Sequence, residues 1–503
     1  MTSLSQAQLT IGREAARLLG IFSPVVVSNR APVEPMEDGS LRVGAGGLVT
    51  ALTSLAGATR APWVAAARTP VERELARSGQ PLQVGDDPDR TFSVFFAPTT
   101  ANGYNMHYGV ISNPLLWSAH HFLWNIASEP VVDQTIHRAW SQGYVRVNRA
   151  VADRALEVAR ALPRRPLFLT QDYQMYLAPA AIRAALPNAA LQHFIHVPWP
   201  PPRYMKVLPA SIRSPILEGL LANDIVGLQT TVDVYNFLRC CSELMGLRVD
   251  AADGVVLYRG RLVWVRSYPV STDVEAMRQL GDSPSVRHIE AEIDSWRTEK
   301  LIVRVDRTDP SKNLVRGFLA FERLLEDHPE HRGRVMFWAY LQPSRQDIAM
   351  YQDYLREVKV TTERINARFR TASWEPTRLE LGEDMDRAVA AYRSFDVLLV
   401  NPILDGMNLV AKEGLIVNRR FGVLVLSESA GAHEELGMHA LSINAFDVEM
   451  TARALNAALK MSKEDRDVRL RAAKQIVSAN DIARWVRLQL EDIRSLLPAV
   501  GMG

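Results

Sequence analysis

The sequence is poor in cysteine, in uncompensated charge and in long apolar runs, and each shortage excludes a class of protein. Only Cys240 and Cys241 occur in 503 residues, and they are adjacent, so neither a disulfide framework nor a Cys/His metal site is expected. Lys and Arg number 58 against 56 Asp and Glu, a net charge of +2, which does not indicate a general nucleic-acid binder. No apolar run reaches the roughly 18 residues of a membrane helix. Glu14 and Arg17 precede the first apolar stretch, which is unlike a signal peptide. We therefore expect a cytoplasmic protein that contacts neither membranes nor nucleic acid.

Short apolar runs alternate with helical patterns along the chain. Seven such runs are typical of buried strands: Val25–Ser28, Leu167–Thr170, His193–His196, Leu301–Arg304, Val335–Trp338, Val397–Val400 and Val423–Leu426. Between them, Val147–Leu162 and Leu314–Glu326 place apolar residues on one helical face. Continuous apolar strands separated by helices indicate parallel sheets and hence an α/β fold.

The length and one loop suggest where the chain divides. A chain of 503 residues predicts two large domains or three ordinary ones. The segment Ser267–Asp273 follows a strand-like run and precedes a polar helical stretch, and the second strand series begins at Leu301. Ligands of open α/β sheets bind beyond the carboxyl ends of the strands, so candidate residues are sought there.

Loops after the first-series strands carry the first candidates. Gly46 and Gly47 belong to a glycine cluster before a helix-compatible stretch, which suits a phosphate near a helix N-terminus but also suits a simple turn. Asp172 follows the strand ending at Thr170, and His196 ends the next one. A structural role in hydrogen bonding is the alternative for His196.

The second series offers a more definite group. Arg307 and Lys312 lie at a strand-to-helix junction, where two cations and a helix N-terminus would hold a diphosphate; a solvated charge pair is the alternative. After the Val397–Val400 strand, Asn408 can begin a helix with its backbone N–H groups exposed. Glu413 lies one turn further, where a carboxylate can accept two ribose hydroxyls or simply favour the helix dipole.

Taken together, these segments resemble the trehalose-6-phosphate synthase family of retaining nucleotide-sugar glycosyltransferases. The matching stretches run in family order from about residue 25 to residue 450: VVVSNRAPV, GAGGLVTAL, YGVISNPLLW, QDYQMYLAP, HVPWPPPRYMKVLP, ILEGLLANDIVGLQT, VDRTDPSK, PSRQDIAMYQ, LDGMNLVAKE and LSESAGAHEELG. The resemblance implies two facing Rossmann-like domains of the GT-B type, with the active site in the interdomain cleft. It assigns residues 1–270 to an acceptor-binding domain, 271–477 to a nucleotide-sugar-binding domain, and 478–503 to a helix crossing back to the first.

The same resemblance implies roles for individual donor-site residues. Arg307 and Lys312 would hold the donor diphosphate, and Glu413 the nucleotide ribose. Donor glucose would be bound by Asp405 with the backbone around Asn408 and Leu409. His196 would contact that sugar near the reacting carbon, and the loop of Gly46 and Gly47 would close over the donor.

For the acceptor, the resemblance implies a phosphate pocket and one carboxylate. Arg30, Tyr108, Trp117 and Arg345 match the pocket, and Asp172 would accept hydrogen bonds from acceptor hydroxyls. The leaving diphosphate would take the proton of the incoming hydroxyl on the same face of the sugar. The reaction would then need no protein nucleophile, no cofactor and no metal.

Several positions depart from the family pattern and leave alternatives open. Gln171 and Gln174 replace histidines, and Asn313 stands where glycine is usual. These departures resemble an actinobacterial branch and also pseudo-glycosyltransferases. The expected function is transfer of glucose from UDP-, GDP- or ADP-glucose to glucose 6-phosphate. The alternatives are glycerol 3-phosphate or a cyclitol phosphate as acceptor, and a non-catalytic sugar-phosphate sensor. The oligomeric state is open, with a homo-oligomer as one alternative.

Overall fold

A computed structural model of the chain describes residues 5–43, 47–85 and 87–496. These residues divide into two compact units. The first runs to Val270 and resumes at Ile482, and the second comprises Ser271–Asp481. Each unit is built on one large sheet, and no helix within the described ranges is long and apolar enough to cross a membrane.

The first unit contains twelve described strands, two of which form a separate small hairpin. The strands are β1 Phe22–Ser28, β2 Val33–Pro35, β3 Leu41–Val43, β4 Trp63–Ala66, β5 Leu82–Val84, β6 Phe92–Ala97, β7 Arg165–Gln171, β8 Ala190–Phe194, β9 Ile225–Leu228, β10 Arg248–Asp250, β11 Val255–Tyr258 and β12 Arg261–Ser267. The large sheet has the order β10-β11-β12-β9-β8-β7-β1-β4-β6-β5. Its seven central strands, from β12 to β6 in this order, are parallel, and the remaining pairs are antiparallel.

Helices pack on this sheet and bury their apolar faces against its strands. They are α1 Gln6–Leu18, α2 Gly47–Thr59, α3 Pro70–Ser78, α4 Ala101–Asn105, α5 Ser118–His120, α6 Gln134–Ala139, α7 Val145–Ala159, α8 Ala178–Ala185, α9 Pro202–Met205, α10 Ala210–Leu221 and α11 Thr231–Met245. In α7, Val147, Val151 and Ala155 are buried with β1 and β7, as the helical spacing predicts. Two π-helical segments, Met106–Trp117 and Trp140–Tyr144, interrupt the regular helices.

The second unit has six parallel strands in the doubly wound order. They are β13 Lys300–Arg307, β14 Val335–Gln342, β15 Thr377–Leu381, β16 Val397–Val400, β17 Val423–Ser427 and β18 Leu441–Ile443, arranged β15-β14-β13-β16-β17-β18. The helices are α12 Val274–Gly281, α13 Pro284–Trp296, α14 Leu314–Asp327, α15 Ala349–Phe369, α16 Met385–Ser394, α17 Leu409–Val417, α18 His433–Leu436, α19 Val448–Lys460 and α20 Lys463–Ala479. The strand order reverses between β13 and β16, and ligands of such sheets bind beyond the carboxyl ends at this point.

The last helix, α21 Ile482–Leu496, belongs to the first unit, where it packs against α1. Trp485 meets Phe194 edge to face at 5.2 Å, and the Gln192 amide donates to Gln489 at 2.8 Å. The Tyr268 hydroxyl donates to Asp492 at 2.6 Å. Both apolar and polar contacts therefore hold α21 on the first sheet.

The strand bounds correct one sequence prediction and extend others. The predicted strand His193–His196 ends at Phe194, because pairing with β9 stops there and Ile195 bonds only to the Gly227 carbonyl. His196 therefore lies in the following loop. Strands β4, β6, β9 and β15 were not predicted. Two of the four residues of β4 are alanine, and two of the five residues of β15 are charged, whereas β6 was missed although it contains three phenylalanines.

Candidate functional site

Arg307, Lys312 and Asp405 stand at the point of the second unit where its strand order reverses. Arg307 is the last residue of β13, and Lys312 ends the 3₁₀ turn Pro310–Lys312 before α14. The Lys312 ammonium forms an ion pair with the Asp405 carboxylate from the loop after β16, and its side chain is only 12% exposed. The lysine predicted for the diphosphate is thus already oriented by the carboxylate predicted for the sugar.

The loop that carries Asp405 is held by hydrogen bonds of its own. Asn408 adopts a left-handed conformation with φ of 76°, and its side-chain oxygen caps α17 by accepting from the Ala411 N–H at 3.4 Å. Its amide donates to Asp405 at 3.1 Å. The Asp405 carbonyl accepts from the Gly431 N–H at 2.9 Å. Leu409, the first residue of α17, therefore follows a fixed turn, with helix N–H groups directed towards this edge.

Glu413 lies in the second turn of α17 and is buried. Burial raises the pKa of its carboxyl to about 7, an effect that a hydrogen bond with Tyr392 of α16 partly offsets. A buried carboxyl with such a pKa differs from an ordinary helix-capping residue, which is exposed and fully ionised at neutral pH. Its surroundings fit a carboxylate kept for a polar ligand.

Arg304 and Gly317, which the sequence did not single out, support the Arg307–Lys312 loop from the protein interior. The fully buried Arg304 donates to Asp306 at 2.9 Å and to the Lys312 carbonyl at 2.6 Å. Gly317 leaves room for it, since a Cβ there would lie 2.5 Å from the Arg304 guanidinium. The sequence alone does not reveal this supporting role, because Arg304 resembles any polar residue that interrupts an apolar run.

Asn313 explains one departure from the family pattern. Its φ is 59°, in the left-handed region that glycine enters freely and asparagine tolerates better than most residues. Its amide donates to the carbonyls of Asn401 at 3.0 Å and Ala445 at 2.7 Å. Asparagine here keeps the glycine-like conformation and adds two bonds between neighbouring loops.

Arg345 lies in the loop after β14 and is turned towards the same β13 loop. Its guanidinium donates to the Asp309 carboxylate at 3.0 Å and to the Tyr351 hydroxyl, and its side chain is 8% exposed. Arg345 therefore has a buried counter-charge. Asp309 supplies that counter-charge within the second unit.

In the first unit, the structure brings Asp172 and His196 together. Asp172 has φ of 68°, a costly conformation for a residue with a side chain, and its carboxylate accepts from the His196 N–H at 3.2 Å. Gln171 lies 3.1 Å from His196 Nε2. Burial, with a smaller contribution from His193, lowers the pKa of His196 to about 3, so this imidazole is neutral at physiological pH. It is therefore suited to hydrogen bonding and not to charge stabilisation.

Arg30 and Tyr108 also meet in the first unit. The exposed Arg30 follows β1 and donates to the Tyr108 hydroxyl at 2.6 Å. Tyr108 and Trp117 both lie on the π-helical segment. Tyr173 packs against this segment: its hydroxyl donates to Asn113, and its ring lies 5.8 Å from that of Trp117. Long π-helical stretches are rare and concentrate at functional sites.

The remaining predicted residues are the glycines of the first unit. Gly46 lies outside the described residues, and Gly47 is the first residue of α2. The described ranges contain no cluster of three or more His, Cys, Asp or Glu side chains suited to a metal ion.

The sequence matches one family profile over nearly its whole length. Glycosyltransferase family 20 matches residues 23–495. A trehalose-6-phosphate synthase of Mycobacterium marinum is 32% identical over 510 residues, covering 97% of this chain and 98% of the relative. A bifunctional trehalose-6-phosphate synthase/phosphatase of Thermoproteus tenax is 33% identical over 475 residues. That match covers 92% of this chain but only 62% of the Thermoproteus protein.

The chain is also similar to solved structures from the same group of proteins. An α,α-trehalose-phosphate synthase (UDP-forming) from Burkholderia xenovorans, in complex with glucose-6-phosphate, superposes with a TM-score of 0.79 at 28% identity. The match covers 94% of this chain and 100% of that one. A structure from E. coli, described as trehalose-6-phosphate bound with UDP-2-fluoro glucose, has a TM-score of 0.81 at 29% identity, over 94% of this chain and 99% of the other.

Proposed function

Because the chain belongs to glycosyltransferase family 20, we propose that it transfers glucose from a nucleotide-glucose to glucose 6-phosphate, giving trehalose 6-phosphate with retention of configuration. The observation that supports this proposal is that Arg307 ends β13 and that Lys312, Asp405 and Glu413 follow β13 or β16, between which the second sheet reverses its strand order, with Lys312 paired to Asp405. A non-catalytic sensor would not need the paired cations that stabilise a leaving diphosphate.

On the donor side, each residue has a distinct task. Arg307 and Lys312 bind the diphosphate, on which negative charge grows as the glycosidic bond breaks. Asp405 accepts from glucose hydroxyls while it orients Lys312. Glu413 accepts from the ribose, and the N–H groups at Asn408 and Leu409 add a helix N-terminus to the anion site.

On the acceptor side, the tasks are recognition and orientation. We assign the acceptor phosphate to Arg30, Tyr108, Trp117 and Arg345. Asp172 accepts from acceptor hydroxyls, and neutral His196 hydrogen-bonds the donor sugar. The leaving diphosphate oxygen takes the acceptor proton, so the protein supplies position and electrostatics without a covalent intermediate. The two buried free thiols, Cys240 and Cys241, support a reducing, cytoplasmic setting.

The experiment that tests the function pairs several donors with several acceptors. UDP-, GDP- and ADP-glucose are each incubated with glucose 6-phosphate, glycerol 3-phosphate, a cyclitol phosphate and free glucose, and the product is identified by mass and by anomeric configuration. Formation of α,α-trehalose 6-phosphate with at least one donor supports the proposal. Turnover with only another phosphorylated acceptor contradicts the trehalose product, and no transfer with any pair contradicts enzymatic function.

Donor affinity should depend on pH through Glu413. Its carboxyl has a pKa of about 7, so it is mostly protonated at pH 6 and mostly ionised at pH 8. Only the ionised form accepts from both ribose hydroxyls, so the dissociation constant of the nucleotide-glucose should fall as the pH rises. The expected decrease from pH 6 to pH 8 is roughly 5- to 10-fold, the change in ionised fraction across one pKa. Calorimetric titration at several pH values measures it. Glu413→Gln should remove the pH dependence, and an unchanged slope in this variant would contradict the ribose assignment.

We further propose that no metal is required. Two cations and a helix N-terminus neutralise a diphosphate without a divalent ion. Initial rates should therefore be the same before and after dialysis against excess EDTA. A loss of activity that Mg²⁺ or Mn²⁺ restores would contradict this.

A further inference from the structure

Asp309 lies between two loops to which the proposed function assigns different substrates: the Arg307–Lys312 loop binds the donor, and the loop of Arg345 binds the acceptor. Its side chain is 0% exposed, and both carboxylate oxygens are engaged. One oxygen accepts from the Ser311 N–H at 3.0 Å and from the Ser311 hydroxyl at 2.8 Å, inside the Arg307–Lys312 loop. The other accepts from Arg345 at 3.0 Å. One buried charge thus holds the turn that presents Lys312 and the guanidinium of Arg345.

Backbone contacts make the two loops one structural element. The Thr308 N–H donates to the Gln342 carbonyl at 2.8 Å, and the Ser344 N–H donates to the Thr308 hydroxyl at 3.0 Å. Arg345 itself has φ of 47°, a strained conformation that persists only where its surroundings impose it. Asp309 and Tyr351 provide such surroundings on the side-chain end.

We propose that Asp309 is a positioning residue that couples recognition of the acceptor phosphate, through Arg345, to recognition of the donor diphosphate, through the Arg307–Lys312 loop. This inference rests on the proposed function, because it takes the roles of Arg345, Arg307 and Lys312 from there. The side chain of Asp309 is fully buried and so offers no surface to either substrate. Asp309 acts through the residues that bind them.

The physical reason is that a desolvated carboxylate fixes a guanidinium more strictly than solvent does. Arginine carries considerable rotamer freedom, and holding it in one orientation beforehand reduces the entropy lost when a phosphate binds. An anion that binds Arg345 competes with Asp309 for its guanidinium. Any resulting shift of the Asp309 carboxylate is transmitted to Ser311 through two hydrogen bonds. Coupling between two binding sites is reciprocal, so each substrate should change the affinity for the other by the same factor.

Asp309→Asn is the central variant, since it keeps the size of the side chain and removes its charge. An amide offers one acceptor oxygen where the carboxylate offers two, so it cannot serve both Ser311 and Arg345. Two further variants affect one side each. Tyr351→Phe removes only a hydroxyl at Arg345, and Ser311→Ala removes only a hydroxyl in the donor loop. Glu322→Gln is the matched control: it neutralises another little-exposed carboxylate, on α14, that binds arginines, namely Arg364 at 2.5 and 2.7 Å and Arg368 at 3.2 Å.

The measurements are steady-state KM values for both substrates, and the affinity for the nucleoside diphosphate with and without glucose 6-phosphate. Asp309→Asn should raise the KM of the acceptor about 10-fold or more, raise that of the donor, and bring the coupling factor close to one. Tyr351→Phe should raise only the acceptor KM, by about 3-fold, and Ser311→Ala only the donor KM. Glu322→Gln should leave all of these unchanged.

Two results would overturn the inference. The first is a folded Asp309→Asn protein whose two KM values and coupling factor equal those of the wild type, even with a lower Tm, since that describes a purely structural residue. The second applies if Asp309→Asn does not fold: an unchanged acceptor KM in Tyr351→Phe then excludes the positioning of Arg345. The wild-type assay separates these from failure of the proposed function, because absence of glucose 6-phosphate turnover in the wild type concerns the function alone.

Discussion

Replacing Arg307 or Lys312 with alanine should lower kcat by about 100-fold or more, comparable to removing one donor from an oxyanion hole. The reason is that charge on the leaving diphosphate is greatest in the transition state, where a fixed cation stabilises it most. Single-turnover and steady-state rates with saturating substrates measure the effect. Lys359→Ala, an exposed lysine on α15, is the matched control and should keep wild-type activity.

The ion pair with Asp405 affects how the Lys312 variant must be interpreted. Lys312→Ala leaves a little-exposed carboxylate without its cation, which destabilises the protein by a route unrelated to catalysis. The double variant Lys312→Ala/Asp405→Asn removes that charge as well and should recover Tm without recovering kcat. If either Arg307→Ala or Lys312→Ala retains near-normal turnover in a folded protein, these two cations do not bind the diphosphate.

Much of the fold could be predicted because buried parallel strands have continuous apolar sequences. Val397–Val400 was predicted with its observed bounds, and the other predicted runs of the second unit lie within β13, β14 and β17, which extend beyond them. The α/β fold class and the glycosyltransferase family are confirmed. Several short strands of the first unit escaped prediction: Trp63–Ala66, for example, has only four residues, of which two are alanine and one, Val64, is β-branched.

The arrangement of the site was less predictable than its residue types. Arg307 and Lys312 could be identified from their position after a strand, and Asp405 from the family resemblance, yet nothing local indicates that Lys312 pairs with Asp405, 93 residues away. The same holds for Asp309 and Arg345, which pack together only because β13 and β14 are neighbours in the sheet. The π-helix that carries Tyr108 and Trp117 has no helical apolar period, so its conformation depends on tertiary packing.

The pairing of Arg345 with a buried carboxylate leads to the prediction with the largest effect on the acceptor. Arg345 is oriented in advance by Asp309 and Tyr351, so its contribution to phosphate binding is not offset by a loss of rotamer freedom. A charge-assisted hydrogen bond contributes about 1.5–3 kcal/mol, which corresponds to roughly 10- to 150-fold in affinity. Arg345→Ala should raise the KM of glucose 6-phosphate by that factor while the donor KM changes much less.

Kinetics on the wild type, Arg345→Ala and Arg356→Ala test this. Arg356 is an exposed arginine on α15, 71% accessible, and its replacement should leave the acceptor KM unchanged. The variant Arg345→Ala also leaves Asp309 buried without its arginine, so Arg345→Ala/Asp309→Asn separates that cost from the loss of phosphate contact. Free glucose should be a poor acceptor for every variant, because it lacks the group that Arg345 recognises. Efficient use of free glucose by the wild type would contradict the assignment of a phosphate pocket. A strong preference for glycerol 3-phosphate or a cyclitol phosphate would be consistent with that pocket and would contradict only trehalose 6-phosphate as the product.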